Sequence, residues 1–218
     1  MMQPKRALLL LGGLWHDFDS LARALNLVVE KQGWAMEASY DLDRLLRLDR
    51  EGISLVIMYT CFSRRAEAAD DTSQHKMSDA QIAGLTDWVQ NGGALLALHA
   101  STVLGDSSAS LGELLGGVFI EHPPAFSFSI HPIFGSHPIT AGIAAFTVHD
   151  EMYIEQCGKA VTIHMIAVKD GVAYPLVWSR SEGRGRVAHI ALGHSSEVWG
   201  AEPYQRLILQ TIGWLTLV

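Results

Sequence analysis

The chain has 218 residues, 49 % of them hydrophobic and 18 % charged, and its 16 basic and 23 acidic side chains give a formal net charge of −7 at pH 7. That length predicts one domain over 1–218, able to bury about 70 % of the surface its extended chain exposes, and the composition excludes disorder as the main state. The acidic balance, with no basic cluster beyond Lys5-Arg6 and Arg64-Arg65, excludes nucleic acid as a partner, and no stretch approaches the roughly 20 apolar residues that span a bilayer.

In chain order, Arg6–Leu11 reads as a strand buried on both faces, because a covered parallel strand need not alternate. Gly12-Gly13 and His16-Asp17 interrupt this apolar run before it reaches the length of a signal-peptide core. Phe18, Leu21, Leu25, Val28 and Val29 recur at helical spacing until Gly33. Trp34–Tyr40 predicts a second strand, Leu42–Leu48 a short helix and Ile53–Thr60 a third strand, followed by a charged loop over Ser63–Met77. Ser78 and Gln81 have capping-box spacing ahead of a helix that Asn91-Gly92-Gly93 ends. Ala94–Leu98 is a fourth buried strand. After Leu111–Leu115 the pattern changes, and strict alternation over Phe126–Ile130 predicts a β-rich, antiparallel excursion from the main sheet, around 117–155. Ala173–Arg180 and Arg186–Leu192 flank a Gly-containing hairpin turn, and Tyr204–Leu215 is a closing amphipathic helix. Strands alternating with helices predict an α/β fold with a mostly parallel sheet.

Three histidines fall at strand ends: His16 after the first strand, His99 at the end of the fourth and His194 after the last. In open parallel sheets ligands bind outside the carboxyl ends of the strands, and an imidazole exchanges protons near neutral pH. These three are therefore the candidate catalytic groups. Asp17 and the run His149-Asp150-Glu151 with Tyr153 offer hydrogen-bonding groups suited to a polyol, the run reading equally as a solvated turn, and Trp199 a ring that stacks on a ligand or packs under the last helix. No His-Glu-x-x-His run or paired Cys motif specifies zinc, which leaves a divalent metal held by separate loops as the alternative to a metal-free acid/base pocket. Neither Gly12-Gly13 nor Gly92-Gly93 completes a P-loop or dinucleotide fingerprint, so no nucleotide cofactor is expected. Cys61 and Cys157 are far apart and without metal-ligand spacing, which fits a reducing cytoplasm. Cys61 reads as a structural thiol rather than a nucleophile.

Together, Gly12-Gly-Leu-Trp-His-Asp17, Gly92-Gly-Ala-Leu-Leu-Ala-Leu-His99, Gly116-Gly117 with Phe119 and His122-Pro123, His137-Pro-Ile-Thr140, Asp150-Glu-Met-Tyr153, Pro175-Leu-Val-Trp178, Gly183–Val187 and Gly193-His194 resemble the ordered motifs of the ThuA-like (trehalose utilisation) family. The resemblance implies a class I glutamine amidotransferase-like fold, a flavodoxin-like three-layer sandwich. It adds His122 as a site candidate. His99 stands where amidotransferases of that fold carry their elbow Cys, and Gly193-His194-Ser-Ser-Glu197 lacks their late His-x-Glu spacing, so glutaminase chemistry is not implied. The family association is with trehalose-type sugars and with enzymes making 3-keto sugars. The expected partner is thus a small carbohydrate, with His99 and His194 as base and acid and His16 as electrophilic donor or metal ligand. A non-catalytic sugar-binding or partner-binding domain is the alternative, and a symmetric homo-oligomer is the general expectation.

Overall fold

A computed structural model describes residues 5–63, 75–133 and 135–217. The charged loop expected over Ser63–Met77 lies for the most part outside the described residues. The elements run β1 (Lys5–Gly13), α1 (Phe18–Glu30), β2 (Trp34–Ser39), a 3₁₀ turn (Leu42–Leu46), β3 (Leu55–Cys61), α2 (Asp79–Gln90) and β4 (Ala94–Leu98). A second 3₁₀ turn (His99–Thr102), α3 (Ala109–Leu115), β5 (Gly117–Glu121), β6 (Phe126–Pro132), β7 (Phe146–Asp150) and β8 (Ile154–Cys157) follow. The chain closes with β9 (Thr162–Lys169), β10 (Val172–Glu182), β11 (Gly185–Ile190), α4 (Ser196–Gly200) and α5 (Glu202–Leu215).

Nine strands form one mixed sheet in the order β2-β1-β3-β4-β11-β10-β9-β6-β7. The first five are mutually parallel, in the doubly wound order whose ligand crevice lies beside β1 and β3. Successive residues of β1 explain its unbroken apolar run. Leu9 and Leu11 pack into one cluster with Leu25 of α1 and Leu207 of α5. Leu8 and Leu10 pack into another with Leu85 of α2 and Leu111 of α3. Both faces of the strand are covered, so neither can be polar. The capping box of α2 forms as predicted, with Ser78 N donating to Gln81 Oε1 and Gln81 N to Ser78 Oγ.

The β-rich stretch divides in two, which corrects the expected excursion. Only β5 and β8 form a separate antiparallel pair, whereas β6 and β7 extend the main sheet through β9. Phe128 and Ile130 of β6 are buried while Ser127 and Ser129 are exposed, the alternation of a sheet covered on one face. Strand β9 was not anticipated. It joins β10 through Asp170-Gly171, both at positive φ (53° and 77°), and an Asp-Gly pair is a strong hairpin signal. The expected hairpin between β10 and β11 is present, with Glu182 opposite Gly185.

Candidate active site

The parallel order brings the carboxyl ends of β1, β3, β4 and β11 to one edge, and the chain turns there are constrained. Gly13 has φ +94°, and a Cβ at that position would lie 1.9 Å from the Cys61 carbonyl oxygen. Leu14 N donates to that same oxygen, so β1 leaves the sheet in contact with the end of β3. His16 follows, its Nδ1 2.9 Å from Leu14 O. A carbonyl only accepts, so Nδ1 carries the proton and Nε2 keeps its lone pair.

His99 is the first residue past β4 and has φ +43°, a left-handed conformation that costs energy for a side chain with a Cβ. Ser101 Oγ lies 2.9 Å from both Met58 O and Leu98 O and braces the turn. The fully buried ring of His99 has Nδ1 2.8 Å from Ala191 O, again leaving Nε2 as an acceptor. His194 follows β11, where Gly193 N and His194 N donate to the two carboxylate oxygens of Asp150 at 2.8 and 3.1 Å. Gly193 O in turn accepts from Tyr59 Oη and Trp199 Nε1.

Glu151, immediately after β7, stands at the centre. Its Oε2 lies 3.1 Å from His194 Nδ1, 3.5 Å from His99 Nε2 and 3.8 Å from His122 Nε2. The ring centroids of His16, His99 and His194 are 5.0–5.5 Å apart. Tyr153 packs its ring 4.2 Å from that of His99. An open cavity of about 450 Å³ is lined by Trp15, His16, Cys61, Phe119, Glu151 and His194, among others that include His122 and Tyr153, a size typical of small-molecule sites.

The electrostatics follow from burial and proximity. Burial, then the neighbouring His99 ring, pushes His16 down to about 3, so it is neutral at pH 7. Burial opposes ionisation of Glu151, but the contact with His194 outweighs it and holds the carboxyl well below the usual range. Glu151 in turn raises His194, against the effect of burial. Cys61 reaches the cavity, yet burial and the charge of Glu151 push its thiol up to about 12, which opposes a thiolate nucleophile. Cys157 lies on β8 and is pushed up to about 12 by burial.

Of the residues singled out from sequence, His16, His99, His122, His194, Glu151 and Tyr153 therefore meet in one place. His99 belongs to the cluster but is fully buried and off the cavity wall, and three others stand outside the cluster. Asp17 is exposed and caps α1, accepting from Ser20 N at 3.1 Å. Asp150 spends both oxygens on backbone N–H groups and so acts as a positioning residue. Trp199 is buried in the core beneath the site, where its ring N–H holds Gly193. Sequence reasoning left out Trp15 and Cys61 as wall residues and gave Glu151 the role of a sugar ligand rather than the hub of the histidines. No local pattern in the sequence separates Asp150 from Glu151.

Comparison with solved structures supports the fold. A ThuA-like protein from Parabacteroides merdae superposes with TM-score 0.76 at 17 % identity, covering 98 % of this chain and 90 % of that one. One from Bacteroides uniformis gives 0.74 at 17 %, with 97 % and 91 % covered. A cold-adapted β-galactosidase from Rahnella sp. R3 gives 0.69 at 14 %, with 99 % of this chain matching 32 % of that chain. Among curated proteins none matches this chain in sequence. The sequence profile of one family, described as trehalose utilisation, matches residues 6–215, and the chain accordingly belongs to the ThuA family.

Proposed function

We propose that this protein is a carbohydrate-processing enzyme of trehalose-type sugar utilisation that acts on an oxidised glycoside, a 3-keto disaccharide or a close relative, by histidine-based acid/base chemistry. The observation that supports this best is the convergence of strand-end histidines and Glu151 on one open cavity. The reading takes the chain as a flavodoxin-like three-layer sandwich with its site at the strand ends.

A ketone acidifies the adjacent C–H. A ring nitrogen of the cavity wall takes that proton, the electron pair forms a C=C bond, and the C–O bond to the second sugar breaks as its oxygen is protonated. Isomerisation is the same first step followed by return of the proton elsewhere. His122 lines the cavity and has Nδ1 committed to a backbone carbonyl, Pro123 O, and so presents Nε2 as an acceptor, whereas His99, the base expected from sequence, is fully buried and off the cavity wall. His194, raised by Glu151, is the group suited to return a proton. Trp15, 57 % exposed at the cavity, and Phe119 offer apolar faces for a sugar ring.

The test is turnover of 3-keto glycosides by the wild type and by His194→Ala. We expect product from the wild type and a loss of about 10²-fold or more in kcat/KM in the variant. Saturable binding of the glycoside without product would replace the enzyme by a binding domain.

A further inference from the structure

We propose that His16, His99, His194 and Glu151 form a binding site for one divalent transition-metal cation, with open coordination positions on the cavity side. One ligand atom from each of the four lies within 4.8 Å of the other three. Groups bound at about 2.0–2.2 Å to a common ion stand roughly 3–4 Å apart, so side-chain shifts of about 1 Å complete the shell.

A second, independent observation points the same way. His16 Nε2, His99 Nε2 and His194 Nδ1 are buried ring nitrogens without a hydrogen-bond partner, a rare condition in folded proteins. His194 Nδ1 is 3.1 Å from Glu151 Oε2, yet the contact lacks hydrogen-bond geometry. The inward nitrogens of His16 and His99 are lone pairs, because each ring spends its N–H on a carbonyl, Leu14 O or Ala191 O. A carboxylate is likewise only an acceptor. Such a cluster of acceptors is reconciled by positive charge at its centre, and outward N–H bonds to carbonyls are the usual support of metal-ligating histidines.

Three imidazoles and one carboxylate suit zinc, manganese, iron or cobalt better than magnesium or calcium, which favour all-oxygen shells. His16, Glu151 and His194 also line the cavity, so the remaining coordination positions face the space a substrate enters. Resting on the function proposed above, those positions fit the adjacent carbonyl and hydroxyl oxygens of an α-hydroxy ketone. His122, which is not one of the four and whose Nδ1 is committed to Pro123 O, then remains as the proton carrier in place of the ligating histidines.

The experiment uses the full chain without an affinity tag, stripped with chelator and titrated with Zn²⁺ by calorimetry and with Co²⁺ by visible absorption. We expect one ion per chain, ligand-field bands for Co²⁺, and binding about 100-fold weaker or worse in His194→Ala and Glu151→Gln, both with wild-type circular dichroism. Absence of saturable binding up to millimolar metal, or unchanged affinity in both folded variants, overturns the site. Addition of a 3-keto glycoside to the Co²⁺ form should shift the bands. Stoichiometric metal with unshifted bands would overturn the ketose coordination and leave the cation site standing.

Discussion

At the scale of single residues, the neighbours Asp150 and Glu151 show how one step along the chain separates two roles. Asp150 faces inward and binds Gly193 N and His194 N, whereas Glu151 faces the cavity and meets three histidines. Replacing Asp150 by Ala leaves two N–H groups without their acceptor and frees the loop that carries His194. The expected loss is about 2–4 kcal/mol in urea unfolding, with Asp150→Asn losing less because one acceptor oxygen remains. Asp17→Ala is a contrasting case: it removes the N-cap of α1 at an exposed position, so thermal stability falls slightly while binding of glycoside and metal is unchanged. A large effect of Asp17→Ala on binding would restore Asp17 to the site.

At the scale of elements, the ends of β1 and β4 bear the constraints that place the histidines. Gly13 combines φ +94° with a carbonyl 1.9 Å from where a Cβ would sit, while Gly52 has φ +64° and open space around it. Both alanine variants incur left-handed strain of about 1–2 kcal/mol. Only Gly13→Ala also forces β1 away from β3, so we expect it to cost about 3 kcal/mol or more, or to prevent folding. Equal unfolding free energies for the two variants would contradict the tight crossing. The strands themselves are legible in the sequence: β4 occupies the predicted Ala94–Leu98, because a buried parallel strand leaves an apolar run that Gly and a helix end punctuate. Strand β9 is not, although Asp170-Gly171 is visible, since buried His164 interrupts its apolar pattern.

At the scale of the whole molecule, β9 and β10 carry a second set of buried polar groups that are not part of the cavity wall. His164 Nε2 lies 2.7 Å from Ser179 Oγ, and the ring of His137 packs 4.2 Å from that of His164. Burial, followed by the proximity of His137, lowers His164 to about 4, and burial alone lowers His137. In the unfolded chain His164 titrates near 6.5, so between these values the unfolded state binds more protons. Stability is therefore intact above about pH 6.5 and declines as pH falls towards 4, by up to about 3 kcal/mol from this residue. Denaturant unfolding across that range should show a shallower decline for His164→Gln. An unchanged slope would assign the acid sensitivity to other groups.

What the sequence determined by itself was whatever is encoded locally. Hydrophobic period and turn chemistry encode β1, β3, β4, α1, α2 and α5, and the rule that ligands bind at parallel strand ends selects His16, His99 and His194 without reference to any contact. Only the tertiary structure decided how β6 and β7 join the main sheet, why Trp199 supports the site from beneath, and that Glu151 rather than Asp150 gathers the histidines. Strand order and side-chain direction at a strand end depend on partners up to 134 residues away, as Tyr59 and Gly193 illustrate. A local pattern carries no record of such a partner, because the pairing energy exists only once the sheet has formed.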